Sequence, residues 1–311
     1  MWDQKRYHSL DYELKKTYGM KIYKLSLNGG MTCPNRDGSL DLRGCIFCSA
    51  GGSGDFAEKH TTSITMQIEQ AKQQVAAKLK EKDAVGYIAY FQAYTNTYAP
   101  VEKLRSIFLE AVSHPEVVLL SIATRPDCIS PEVLSLLEEI NLIKPVWIEL
   151  GLQTIHEKTA DFIRRGYPLE VFETCVWRLK DAGIPVIVHT ILGLPYETTE
   201  EIKNTMRYLS HLPIQGIKLQ LLHILKGTDL GMLYQQGALP EPLSLEQYVD
   251  LVISCLEILP RELVIHRITG DGPRNLLLAP LWSSNKKLVL NSIQQQMKLR
   301  NTFQGKYFLP N

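Results

Sequence analysis

The residues best suited to chemistry are three cysteines in one short stretch, Cys33, Cys45 and Cys48, spaced C-x11-C-x2-C. Thiolates are soft ligands that favour zinc and iron–sulfur clusters over hard cations. Three thiolates on a four-iron cluster leave one iron open to a further ligand. The competing reading is a zinc knuckle, in which a histidine such as His60 completes a tetrahedral set. The other three of the six cysteines, Cys128, Cys175 and Cys255, are scattered. An isolated cysteine is usually a small buried apolar group. Cys128 is retained as a candidate catalytic thiol because it follows a strand end. Clustered thiols in a long chain whose first residues do not resemble a signal peptide point to metal, not to disulfides.

Positioning such a loop needs a scaffold, and 311 residues at 45% hydrophobic and 22% charged can supply one large α/β domain with appendages. From about residue 20, β-branched runs alternate with amphipathic segments, the order of a parallel sheet with crossover helices. Strands are expected at Ile22–Leu27, Val85–Phe91, Val117–Ile122, Val146–Leu150, Val186–His189 and Gly216–Leu222. Between the first two, Ile64, Ile68, Ala71, Val75 and Leu79 recur at helical spacing behind Thr61–Ser63, a capping segment. Further helices are expected after Pro100, after Ser130-Pro131, over Glu157–Arg164 and Leu169–Asp181, and from Thr198 or Thr199. Beyond the sixth strand come helices near Leu230–Gln236, Leu245–Leu259 and Leu288–Arg300, with a short apolar run at Leu263–Ile265. The fold class is therefore α/β: a partial (β/α)6 TIM-like barrel over 21–225, a basic N-terminal extension over 1–20 and a C-terminal α-rich appendage over 226–311. No stretch of about 18 apolar residues is present, so no membrane span is expected and a cytoplasmic location is the default.

In β/α barrels the active face lies at the C-terminal ends of the strands. The cysteine loop follows the first strand, and several later strand ends carry polar strings. Together they resemble the radical S-adenosylmethionine (SAM) superfamily, in its Elongator-catalytic-subunit-like branch that includes the YtqA/YhcC-type proteins, from about residue 15 to 285. The resemblance implies that Cys33, Cys45 and Cys48 hold a [4Fe-4S] cluster whose open iron binds SAM. It further implies reductive cleavage of SAM to a 5′-deoxyadenosyl radical, with electrons from a donor such as flavodoxin or ferredoxin.

The same resemblance assigns the cofactor contacts. Phe47, before the last cysteine, falls at the adenine-packing position. Gln92, Ala93, Tyr94 and Thr95 replace the Gly-Gly-Glu-like string that receives the SAM amino group. Ser121-Ile-Ala-Thr-Arg-Pro-Asp127 is similar to an Elongator string, with Ala123 where that string has Glu; Arg125 and Asp127 are suited to pair with each other. Gln153 ends a Leu-Gly-Leu-Gln string and becomes the ribose candidate, since its amide both donates and accepts. Glu149 lies two positions before Gly151, where it is either a site residue pointing into the barrel or a hydrogen-bonded core carboxylate. Arg165, in Arg164-Arg165-Gly166, matches an arginine that meets the SAM carboxylate. His189 falls where a relative places a ribose-binding Asp. Gly51-Gly-Ser-Gly54 lacks the Lys-Ser/Thr of a phosphate loop and reads as a flank of the cysteine loop.

Net charge is +1, but the ends are basic. Residues 272–311 hold Arg274, Lys286, Lys287, Lys298, Arg300 and Lys306 and no acidic group, and residues 1–30 hold six basic against three acidic groups. Two basic ends can form a footprint for a polyanion. With the Elongator resemblance this implies tRNA as partner and a wobble-uridine side chain as substrate. The alternatives are a small metabolite or protein residue as substrate, or a non-catalytic zinc protein that binds nucleic acid.

Overall fold

In the computed structural model, the described residues are 2–52, 63–76, 84–270 and 272–310. His60, Thr61, Leu79 and Gly54, named above, lie outside them. Helix α1 (Leu10–Tyr18) leads into β1 (Lys21–Leu27) and α2 (Ile64–Ala76). Then follow β2 (Val85–Phe91), α3 (Val101–Ser113), β3 (Val117–Thr124), α4 (Pro131–Asn141), β4 (Val146–Gln153), α5 (Glu157–Phe162), α6 (Leu169–Asp181), β5 (Val186–Leu192), α7 (Thr199–Ser210) and β6 (Gly216–Leu221). The chain closes with β7 (Ile224–Leu225), α8 (Asp229–Gln235), α9 (Leu245–Ile258), β8 (Val264–Arg267), β9 (Leu277–Ala279) and α10 (Lys286–Leu299). Among the described residues no helix is long and apolar enough to cross a membrane.

Helix starts follow capping chemistry. Ser130 accepts a hydrogen bond from the Val133 amide at the head of α4, and Thr198 forms a reciprocal box with Glu201 at the head of α7. Each satisfies amide protons that a first helical turn leaves free. The strands form one parallel sheet in the order β1-β2-β3-β4-β5-β6-β8. A seventh strand, β8, thus extends the six expected ones, and it comes from the apolar run inside the region read as an appendage. Each strand turns an apolar set outward against the helices: Leu25, Phe91, Ile122, Leu150, Val188 and Leu219 all belong to the main core.

The inner faces of the first four strands meet α1. Its Leu14, with Leu10 and Tyr18, packs on Ile22, Ile88, Leu119 and Trp147. The helix also contacts β8, and Ser9 bridges to Ile265. The N-terminal segment is therefore a wedge between the first and last strands of an incomplete barrel.

Candidate active site at the barrel mouth

The loop between β1 and α2 is gripped from three sides. The Ile46 amide donates to the Ile163 carbonyl (3.1 Å) and the Ile46 carbonyl accepts from the Leu230 amide (2.9 Å). Buried Asn35 donates through Nδ2 to the Arg164 carbonyl (2.8 Å) and towards the Cys45 sulfur (3.5 Å). The loop after β2 holds the rest, with the Tyr94 and Thr95 amides donating to the carbonyls of Gly52 (3.0 Å) and Thr32 (3.1 Å). Arg36 donates to the carbonyls of Cys48 and Ser49, both at 2.8 Å. Burial alone would lower its pKa, but the neighbouring thiolates of Cys48 and Cys33 raise it. Gly44 (φ 76°) lets the chain pass that guanidinium, since a Cβ there would fall 2.8 Å from Arg36 Nε.

Cys33, Cys45 and Cys48 are all free thiols and line one cavity of about 650 Å3. Burial first, and then the Cys48 thiolate, push the Cys45 thiol up to about 12. A cationic iron centre would relieve that penalty, because metal binding favours the deprotonated ligand. Tetrahedral zinc, with Zn–S bonds of about 2.3 Å, would hold its sulfurs about 3.8 Å apart. Among the described residues, the one trio whose ligand atoms all lie within 4.8 Å of one another is Glu69, His114 and Glu116, so the three thiols as a set stand wider than a zinc site. That acidic trio already holds the Lys72 ammonium, which bridges Glu69 and Glu116. The donor set, the cationic Arg36 beside it and the Asn35 Nδ2 donor directed at the Cys45 sulfur fit a cluster held by Cys33, Cys45 and Cys48.

Phe47, Gln92, Ala93, Tyr94, Thr95, Glu149, Gln153, Arg165 and His189 all line the same cavity as the thiols. Ala93 and Tyr94 both adopt positive φ (68° and 58°), the conformation that glycine takes without strain; of these only Ala93 stands where the resembled string has a glycine, and Gln92, at the other glycine position, does not share it. The Tyr94 ring lies over Gly52. Gln153 also has positive φ (66°), at a register irregularity between β4 and β5, and its amide folds over Gly151.

Arg165 is engaged on every nitrogen. Nε donates to the Tyr167 carbonyl (2.9 Å), Nη1 to the Thr154 carbonyl (2.7 Å) and Nη2 to Glu157 (3.0 Å). Its geometry is that of a brace beneath the 164–167 turn. Arg125 pairs with Asp127 and also donates to the Arg165 carbonyl (2.8 Å). Cys128 does not line the cavity. Burial and then Asp127 push its thiol up to about 12, and the thiol faces Asp127 Oδ1 (3.7 Å). The candidate catalytic thiol thus faces Asp127 and away from the chamber, and burial disfavours its thiolate.

The floor of the cavity is a charged cluster that sequence reasoning saw only in part. Fully buried Glu149 accepts from Lys24 (2.7 Å) and Ser121 (2.7 Å) on Oε1, and from His189 (2.7 Å) and Lys218 on Oε2. Burial opposes its charge, but Lys218 and Lys24 outweigh that and hold its pKa well below the usual carboxylate range. Burial pulls Lys218 down to about 7 despite Glu149, and burial with Lys218 pulls His189 down to about 4. His189 is therefore committed to Glu149, the role opposite to a free ribose contact. Lys24 and Lys218 were missed, although a lysine between buried apolar neighbours on a strand covered on both faces, as in Ile217-Lys218-Leu219, is a signal.

The two ends of the chain pack together, with Gln294 donating to the Gln4 carbonyl (2.7 Å), but their charges are dispersed. Lys24 is inside the barrel. Lys286 and Lys298 are separated by the length of α10, about 18 Å at 1.5 Å per residue. Arg300 pairs with Asp250, and the chain after α10 is tied to Arg6 through Asn301 and Thr302.

Residues 33–209 match the radical SAM superfamily, and residues 214–299 match the radical SAM C-terminal domain. The chain belongs to the radical SAM superfamily. It is 46% identical to the uncharacterized protein YtqA of Bacillus subtilis over 305 residues, 98% of this chain and 94% of that one. It is 27% identical to the tRNA uridine(34) acetyltransferase of Methanocaldococcus jannaschii over 54% of this chain and 31% of that one. In fold it is similar to the archaeal Methanocaldococcus infernus Elp3 (TM-score 0.66, 16% identity), covering 91% of this chain and 64% of that chain. The superfamily uses a [4Fe-4S] cluster and SAM, and the half-barrel of seven parallel strands is its fold.

Proposed function

We propose that this protein is a radical SAM enzyme that remodels the side chain of a tRNA wobble uridine, drawing electrons from a flavodoxin- or ferredoxin-like donor. The observation that carries the reading is a single chamber walled by both the three-cysteine loop and a polar, charged floor. When bound, the cluster and SAM supply one-electron reduction and a carbon-centred oxidant. The residues of the chain itself do the rest. Arg36 and Asn35 fix the thiol loop, Ala93 to Thr95 and Gln153 shape the cofactor shelf, and Phe47 offers an aromatic face. Arg165 acts in this reading by holding the 164–167 turn against the loop, and Cys128 is given no part.

The nucleic-acid half of the proposal is supported by the relatives that carry tRNA uridine(34) acetyltransferase and Elongator names. It is also supported by exposed Lys286 and Lys287 at the head of α10, which follows the β9 strand paired to β7. Leu225 of β7 and Pro273, just before β9, line the cavity. A base entering the mouth would then leave its backbone phosphates near that edge. Two measurements test the proposal together. Anaerobically reconstituted protein should release 5′-deoxyadenosine from SAM with dithionite, and mass spectrometry of tRNA nucleosides from a deletion strain should show one wobble-uridine derivative replaced by its precursor. An unchanged nucleoside profile would remove the tRNA assignment while leaving the SAM reaction intact.

A further inference from the structure

The four donors on Glu149 occupy both of its oxygens twice, which saturates a carboxylate. The lysines are not saturated in return. A lysine ammonium has three N–H donors. Lys24 spends one on Glu149, and Lys218 spends one on Glu149 and one on the Tyr90 hydroxyl (3.3 Å). Both ammonium groups also lie over the Tyr90 ring, at 4.3 and 4.8 Å from its centre. Below them His266, its ring against Trp147 (5.4 Å), keeps a buried Nδ1 without a partner. All of these groups line the same cavity as the thiols. With both lysines protonated, two ammonium groups against one carboxylate leave one positive charge uncompensated at a largely buried floor, where a lone charge is costly.

We propose that the barrel floor is an anion subsite in which Lys24 and Lys218, with His266 beneath them, seat a singly charged carboxylate carried by the substrate. One carboxylate balances the surplus charge, whereas a phosphate dianion would overshoot it. A substrate anchored there extends its remaining atoms upward, towards the loop of Cys33, Cys45 and Cys48. Glu149 is then a positioning residue that aims both lysines. The groups facing Lys218 are Glu149 from β4, Lys24 from β1, Tyr90 from β2, His189 from β5, and His266 and Arg267 from β8, of which Arg267 has partners of its own. A bound anion adds a second negative neighbour to this set, so it favours protonated Lys218 and is released as that proton is lost.

Acetate and its neutral isostere acetamide, titrated into the reconstituted, SAM-loaded protein and followed by ligand-observed NMR, test the subsite. Acetate should bind saturably, acetamide about tenfold more weakly, and K24M and K218M should each weaken acetate about tenfold, the loss of one charged hydrogen bond. Acetate affinity should fall as pH rises through about 7. Because K218M leaves Glu149 short of a cation, the double variant K218M/E149Q is measured beside it; Lys24 then carries the same single surplus charge, so acetate should bind more tightly than in K218M, with an unchanged circular dichroism spectrum. Equal binding of the two probes, absence of saturable acetate binding, or acetate affinity kept in both K24M and K218M would each overturn the proposal. So would a parallel loss of SAM affinity, which would give the floor to the cofactor's own carboxylate. No arm of the experiment involves tRNA, so its result is separate from the nucleic-acid reading.

Discussion

Along the strands, Leu25, Ile122, Leu150, Val188 and Leu219 face the helices, while Lys24, Glu149, His189 and Lys218 alternate with them and face the chamber, and Ser121 donates to Glu149 from the same side. The two faces share every backbone hydrogen bond of the sheet, yet one is a dry core and the other a network of charge. The difference shows where the molecule gains stability and where it spends it. Burying the outer set removes apolar surface from water, at about 25 cal/mol per Å2. Burying the inner set desolvates charges that recover their cost only through one another. Strain follows the same division. Among the described residues, seven non-glycine positions have positive φ; Gln153 ends β4, and Ala93, Tyr94, Arg164 and Tyr196 lie in the segments beyond the strands that surround the mouth. Such conformations persist where surrounding contacts over-determine them, commonly at functional sites.

The comparison breaks most visibly if substitutions on the two faces exchange their effects. Phe108→Ala, which empties a fully buried position stacked edge-on against Phe91, should cost about 3–5 kcal/mol in urea unfolding and leave iron binding per folded molecule unchanged. Cys45→Ala should do the reverse, abolishing iron content and SAM cleavage with little change in the unfolding midpoint. If Cys45→Ala kept its iron, the ligand assignment would fall.

A smaller effect comes from proton linkage at the floor. Lys218 titrates near 7 when folded and near its ordinary 10.5 when unfolded, so between those values the unfolded chain binds more protons. Stability should therefore rise with pH across that window. The slope should flatten in K218M/E149Q, as read from urea midpoints at successive pH values. Smallest of all, Ala93→Gly removes the Cβ penalty of a left-handed residue, worth roughly 1 kcal/mol, against nearly as much lost chain entropy. The expected net gain is at most about 0.5 kcal/mol, with SAM binding retained. A loss of more than that would mean that the Ala93 methyl packs against something the site needs.

The sequence made the outer face legible because that face is written in apolar residues at regular spacing. The runs at Val85–Phe91 and Leu169–Asp181 agree with β2 and α6 residue for residue. Strand ends were less visible: Ala123-Thr124 and Gly151–Gln153 continue β3 and β4 with small or polar residues in place of an apolar run. The Leu263–Ile265 run was evident as apolar, but its place beside β6 depends on pairing across nearly fifty residues, and nothing local records that. At the site, the three thiols and the inward setting of Glu149 could be read from spacing and alternation. The partners of Arg165 could not, because Thr154, Glu157 and Tyr167 meet it only once α5 turns back. Resemblance named a role for that arginine; the geometry shows what its donors touch.

Helix α1 gives the barrel an adjustable girth. In the sheet β1 pairs with β2 alone, and β8 pairs with β6 and meets the segment before α1 at the Ser9–Ile265 bridge, so the ring is an open clasp held at its opening by that bridge and by side chains such as Leu10 and Leu14. In a closed barrel the diameter is fixed by strand number and shear. Here a thicker or thinner residue on one short helix can reset the width of the chamber while every ladder of the sheet stays intact. Related chains can thus diverge in the size of molecule they admit by changing a segment that never touches the cysteine loop.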